Sequence, residues 1–168
     1  MKILISISQQ FLWLLTDRGQ LVAGYRVSTA KAGVSALKNS GGTPLGRHQI
    51  RAKIGAGLPV NTVFVGRRPT GELYSEALAQ RFPCRDWILS RILWLSGLEV
   101  GKNRLGQVDT MQRYIYLHGT PDSEPMGVPL SHGCIRMRNE DIVQLFDQVS
   151  VGTEVVIVNQ VNPVIQEG

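Results

Sequence analysis

Two of the three histidines and one of the two cysteines of this chain fall in a single segment, Tyr116–Arg138, which reads YLHGTPDSEPMGVPLSHGCIRMR. His118 stands sixteen residues before Cys134, and the Gly/Pro-rich stretch between them can fold back on itself, because closure cost grows slowly with loop length. A cysteine attacks carbonyl carbon as its thiolate, yet a free thiol has a pKa of about 8.5, so it needs a base or a cation beside it. His118 or His132 can supply the base. Gly133 lets the chain turn sharply and approach a reacting carbonyl. The N–H groups around Gly133 and Cys134 are then placed to receive the oxyanion of a tetrahedral intermediate. Arg136, two residues on, is a fixed cation suited to a carboxylate. Cysteine acyl transfer has all its parts within this segment.

The same residues admit plainer readings. A lone cysteine is often a small buried hydrophobe. A lone histidine is often a satisfied core or surface residue. His118, His132 and Cys134 could in principle hold zinc, but no carboxylate or second cysteine stands at a familiar spacing, and no C-x-x-C occurs. A papain-like site would have another cysteine context, with its histidine far downstream.

The elements that must position these groups read mainly as β. Lys2–Ser8 alternates with the period of a strand, with Ile3, Ile5 and Ile7 on one side. Phe11–Thr16 and Leu21–Ser28 form a hairpin around the turn Asp17-Arg18-Gly19-Gln20. Lys31–Gly46 is loop. Gln49–Ile54, Thr62–Val65, Asp86–Leu95, Arg113–Leu117 and Thr153–Val158 are strands, with helix as the alternative for Asp86–Leu95. Glu72–Arg81 is a short helix or turn, and Glu99–Asp109 a polar loop. The clearest helix is Glu140–Val149, with Asn139 as its N-cap and Ile142, Leu145, Phe146 and Val149 on one face. The expected fold is a β-sandwich or barrel with one or two short helices, a single domain over residues 1–160 and a short tail, 161–168, whose residues Asn162–Gly168 fray.

Composition agrees with a folded enzyme-sized domain. Of 168 residues, 43% are hydrophobic and 18% charged, which excludes a wholly disordered chain. Collagen, coiled-coil and repeat architectures are excluded by the missing periodicities. The net charge of +5 is unevenly spread: nine basic residues and no acidic one lie between Arg18 and Gly71. Such a field favours anionic partners. The basic residues stand singly and without interleaved aromatics, so nucleic acid is not the expected partner. No apolar run reaches the length of a membrane span, and the opening residues lack the pattern of a secretory leader, so a cytoplasmic protein is expected, or a periplasmic one should a leader precede this sequence.

The segment resembles the signature of the L,D-transpeptidase catalytic domain, or YkuD, family: His118-Gly119-Thr120, then Ser131-His132-Gly133-Cys134-Ile135-Arg136. The surrounding RYIYLHGT and RMRNEDIVQLFDQVSVGTEVVIV, the Ser28–Gly33 loop and the Thr43–Gly46 turn are similar as well, so the resemblance spans roughly Lys2 to Val158. It implies a YkuD-like β fold with Cys134 as nucleophile and His118 as general base, later acid. It implies oxyanion N–H groups at Gly133 and Cys134, a pocket shaped by His132, Ser131 and Gly119, and no metal or cofactor. Arg136 and Tyr116 would contact substrate or brace the loop, and Arg91 and Trp94, in the less typical stretch Tyr74–Asp109, would line the site. The implied substrate is a peptidoglycan stem tetrapeptide or muropeptide, attacked between meso-diaminopimelate and terminal D-alanine. Water as acceptor makes an L,D-carboxypeptidase of wall recycling; a second stem makes an exported transpeptidase of 3–3 cross-links; a degenerate domain would only bind wall fragments. A covalent carbapenem adduct at Cys134 is implied for an active site. Cys84 is expected to be a structural or incidental thiol, since no histidine lies near it in sequence.

Overall fold

The computed structural model describes residues 1–161; the expected fraying of Asn162–Gly168 lies outside them. The chain is mainly β. Its strands are β1 (Lys2–Ser6), β2 (Phe11–Leu15), β3 (Leu21–Arg26), β4 (Gly46–Ile54), β5 (Thr62–Val65), β6 (Arg68–Leu73), β7 (Ile88–Gly97), β8 (Tyr116–Thr120), β9 (Ile135–Arg138) and β10 (Glu154–Val158). Helix α1 (Glu76–Arg81) lies between β6 and β7, and α2 (Asn139–Gln148) between β9 and β10. The strands form one sheet in the order β3-β2-β1-β10-β4-β7-β5-β6, with β8 on the other edge of β7 and β9 beyond it.

Alternation decides what is buried. Ile3 and Ile5 of β1, Leu12 and Leu14 of β2, and Val155 and Ile157 of β10 form one apolar layer, which Leu93, Leu95, Leu117, Ile135 and Met137 continue. Helix α2 covers it with Ile142, Leu145 and Phe146, and Val149 closes the end, the face its spacing predicts. Burying each such side chain is worth about 1.5–3 kcal/mol. The hairpin turn at Asp17–Gln20 forms as expected, with Gly19 at φ 83.

Several expectations are corrected. The strand expected at Asp86–Leu95 does form, as β7, with its bounds displaced to Ile88–Gly97. The strand expected at Arg113–Leu117 begins only at Tyr116: Arg113 N–H donates to Asp109 O, and Tyr114 sits at φ 57, a left-handed conformation that stops a strand. Glu72 and Leu73 belong to the edge strand β6, and only Glu76–Arg81 is helical, capped by Ser75 Oγ, which accepts the Leu78 N–H at 3.1 Å. β9 had no expectation at all. Asn139 does not cap α2 but is its first residue; its carboxamide turns inward, with Nδ2 donating to Thr120 O at 2.9 Å and Oδ1 accepting from Ser90 Oγ at 2.6 Å. A buried amide must satisfy its own donors and acceptors first, so the cap is lost. Val161, placed in the expected tail, is buried.

Candidate active site

β8 and β9 run parallel, with Leu117 opposite Ile135 and His118 opposite Arg136. Parallel neighbours need a crossover of about a dozen residues or more. The fourteen residues between β8 and β9 supply it, which accounts for the spacing between His118 and Cys134. Tyr116 and His118 are two apart on β8, hence on one face; Cys134 and Arg136 stand in the same relation on the neighbouring chain. All four line one cavity of about 380 Å³, together with Gly66, Arg67, Asp86, Ile88, Arg113, Tyr114, Ile115, Ser131 and His132.

The crossover is held by the segment after β3. Ser28 and Arg136 exchange backbone bonds, Ser28 N–H to Arg136 O at 2.9 Å and Arg136 N–H to Ser28 O at 2.8 Å. Ser131 N–H donates to Thr29 O, Lys31 N–H to Ser131 O, and Gly127 N–H to Val27 O, each at 2.9 Å. Thr43 Oγ1 accepts the Ala30 N–H at 3.0 Å and donates to Gly133 O at 2.9 Å. Gly133 lies at φ 129, and a Cβ there would stand 3.2 Å from Ile115 Cδ1 and 3.3 Å from Gly42 O, so the turn into Cys134 accepts no larger residue comfortably.

Cys134 Sγ is half-buried. It accepts the Tyr116 N–H at 3.4 Å and donates its proton toward Tyr114 O at 3.3 Å. Burial pushes the thiol up to about 12, against the Tyr116 N–H and the charges of Arg136 and Arg113, which pull it down. His118 is 1% exposed. Its Nδ1 lies 2.6 Å from Gly119 O, which fixes Nδ1 as the protonated nitrogen and leaves the lone pair on Nε2. Burial holds its pKa below the usual imidazole value, with Asp86 acting in the opposite sense. The resting pair is therefore a neutral thiol and a neutral imidazole. An imidazole with its Nε2 lone pair free can accept a proton there.

The other expected residues divide. Ser131 is buried and spent on backbone: its Oγ donates to Cys134 O at 2.5 Å and accepts the Gly133 N–H at 3.2 Å. That bond occupies the Gly133 N–H, one of the two N–H groups expected to meet an oxyanion. His132 lines the cavity but is exposed, with Nδ1 3.5 Å from Asp86 Oδ2. Gly119 does not line the cavity; a Cβ there would lie 2.5 Å from both Asn139 Oδ1 and Leu89 O, so it is a packing glycine whose carbonyl orients His118. Arg136 lines the cavity, but its Nη2 is 3.2 Å from Asp86 Oδ1. Arg91 is not at the site: it is buried on the side facing Phe146, with Nη1 donating to Leu58 O and Ser90 O. The apolar stretch around it made its side-chain direction illegible in sequence. Trp94 stands behind the cavity wall, its Nε1 donating to Met111 O and its ring edge-on to Tyr116 at 6.2 Å. Arg67, Asp86, Arg113 and Tyr114 were missed. They come from three separate segments, and only the basic character of the Arg18–Gly71 stretch hinted at Arg67. The third histidine, His48, is buried away from the cavity, between Gly46 O and Thr110 Oγ1. Both cysteines are free thiols, Cys84 exposed. Among the described residues no group of three or more His, Cys, Asp or Glu side chains is placed to hold a metal, and no helix is long and apolar enough to cross a membrane.

Comparison with known proteins supplies the family. The chain is 50% identical over 48 residues to the probable L,D-transpeptidase ErfK/SrfK of Escherichia coli (strain K12), a stretch that makes up 29% of this chain and 16% of that protein. Its fold is similar to that of Bd1075 of Bdellovibrio bacteriovorus, with a TM-score of 0.61 at 20% identity over 96% of this chain and 48% of that one. It is likewise similar to the L,D-transpeptidase LdtMt1 solved in complex with imipenem, with a TM-score of 0.55 at 20% identity over 93% of this chain and 57% of that one. The chain thus spans about half the length of these solved relatives, and the matched stretch a smaller share of the curated one. The model of the L,D-transpeptidase catalytic domain matches residues 1–157, nearly all that the structure describes, and this chain belongs to that family, YkuD.

Proposed function

We propose that this domain catalyses cysteine acyl transfer on peptidoglycan stem tetrapeptides, and that water is the acceptor, making it an L,D-carboxypeptidase. The observation that carries the reading is the joint placement of Cys134 and an Nδ1-protonated His118 in one cavity. His118 Nε2 takes the thiol proton as Sγ attacks the carbonyl between meso-diaminopimelate and D-alanine. The Cys134 N–H meets the oxyanion. The C–N bond breaks, His118 returns its proton to the leaving amine, and a thioester remains. Water then gives a proton to His118 and attacks the thioester, and the thiol is regenerated.

Charge favours water over a second stem. Three arginines line the cavity against one carboxylate, Asp86, and such a site disfavours an incoming ammonium acceptor. The same charge suits small recycled muropeptides, which carry several carboxylates, and on this reading the work is cytoplasmic. Mass spectrometry of purified disaccharide-tetrapeptide after incubation should show tripeptide and free D-alanine; mainly cross-linked dimers would instead make the domain a transpeptidase. Fractionation of cells carrying the native protein tests the compartment. A carbapenem should acylate wild type and not Cys134→Ala. No adduct and no reactive thiol would leave a wall-fragment binding module.

A further inference from the structure

The three arginines of the cavity are not equivalent. Arg136 is neutralised by Asp86 at 3.2 Å, with Glu124 at 4.0 Å. Arg113 is committed to the loop before β4: Nη1 donates to Ser35 O at 3.1 Å, and Nη2 to Gly42 O at 2.7 Å and Ser40 Oγ at 3.3 Å. Arg67 has no carboxylate within ion-pair distance among the described residues. One N–H, on Nη1, donates to Tyr116 Oη at 3.1 Å. A guanidinium carries five N–H donors, so most of its capacity is open.

Arg67 is also built into position. β5 and β6 are joined by Gly66 and Arg67 alone, at φ 56 and 64. Two left-handed residues make the type of tight turn that a twisted hairpin prefers, but its second position ordinarily favours glycine. An arginine there costs on the order of 1–2 kcal/mol in backbone energy. What holds it is stacking: its guanidinium carbon lies 4.4 Å from the Tyr114 ring centroid and 5.2 Å from that of Trp94. Trp94 in turn packs against Tyr114 and Tyr116. A planar cation, fixed by an aromatic platform at the wall of the Cys134 cavity and holding unused parallel donors, is a preorganised carboxylate receptor.

We propose that Arg67 is a specificity-determining residue that receives a carboxylate of the acyl-donor substrate, a role in which Arg136 is pre-empted by Asp86. The proposal rests on the acyl-transfer reading for the identity of the substrate, and two of that substrate's carboxylates fit: the C-terminal one on the leaving residue and the side-chain one of diaminopimelate.

Binding separates the proposal from the reading. Calorimetric titration of tetrapeptide into full-length Cys134→Ala, with and without Arg67→Ala, should show affinity at least 10-fold weaker when Arg67 is removed. The same titrations with the C-terminal amide and with side-chain-amidated diaminopimelate identify the carboxylate: Arg67→Ala should cost nothing further on the analogue that lacks it. In the Cys134-bearing protein, Arg67→Ala should raise KM at least 10-fold with kcat within 3-fold, and alkylation by neutral iodoacetamide should be unchanged. Equal losses on all three peptides, or no loss on any, overturn the proposal while leaving acyl transfer intact if wild type still releases D-alanine. Charge-dependent binding through Arg67 in a protein that releases no D-alanine would uphold the proposal and sink the acyl-transfer reading.

Discussion

The Tyr116 amide N–H points at Cys134 Sγ from 3.4 Å, while the thiol proton is directed to the carbonyl of Tyr114, two residues earlier on the same chain. The left-handed Tyr114, at φ 57, brings that carbonyl to the sulfur ahead of the first residue of β8, whose N–H also reaches it. The sulfur is thus held protonated at rest and has a donor ready when it becomes negative.

That arrangement sets the pH profile. On the proposed mechanism the active form has His118 neutral, and burial lowers its pKa from the ordinary 6.5, so the acid limb of kcat/KM should fall below pH 6.5. Cys134 remains a thiol until about 12, so no loss from thiolate formation should occur through pH 10. A bell centred on a preformed ion pair, with an acid limb near pH 4 belonging to the cysteine, would contradict the neutral pair.

Replacing His118 by Gln removes the proposed base while keeping a polar side chain toward Gly119 O. Turnover should drop by about 10²–10⁴-fold. Circular dichroism should match wild type. Near-normal turnover would move the base to His132, the other imidazole of the cavity.

Gly119→Ala should damage the site without touching it. The added Cβ would lie 2.5 Å from Asn139 Oδ1 and from Leu89 O, and neither can retreat from a packed sheet and helix start. Denaturant melts should show a loss of about 2–4 kcal/mol, in the range of overpacking with strain. Asn139→Ala, which strands Ser90 Oγ and Thr120 O, should cost about 1–3 kcal/mol in the same assay.

Acid should weaken the fold through His48. Its pKa is lowered from 6.5 to about 4, chiefly by burial. The unfolded chain binds the proton first, so the contribution is complete above pH 6.5 and is lost as pH falls toward 4. The shift corresponds to roughly 3 kcal/mol over that window. His48→Gln should flatten stability between pH 6.5 and 4 relative to wild type; an unchanged slope would show that other groups carry the acid sensitivity.

Much of this was legible along the chain. The alternation of Ile3 and Ile5, the hairpin at Asp17–Gln20 and the apolar face of α2 are local patterns, and local patterns survive folding when their buried faces find a common core. The paired motifs around His118 and Cys134 were legible because their spacing and residue types are both written in sequence, whereas the parallel crossover that uses this spacing was not. Three things were not. β9 is four residues long and has too few positions for its alternation to register. Asn139 reads as a cap from its neighbours, but a buried polar network outranked the local preference. The sorting of the arginines depended on partners far away in the chain: Arg136 finds Asp86, Arg91 turns toward Phe146, and Arg67 reaches Tyr114 and Tyr116. The sequence by itself determined the candidate residues of the cavity around Cys134 and His118 and the β framework, because both depend on residue type and short-range period. Only the tertiary structure decided which cation of the cavity keeps free of a carboxylate partner among the described residues, because a long side chain's charge is claimed by whichever acceptor the folded neighbours bring within reach.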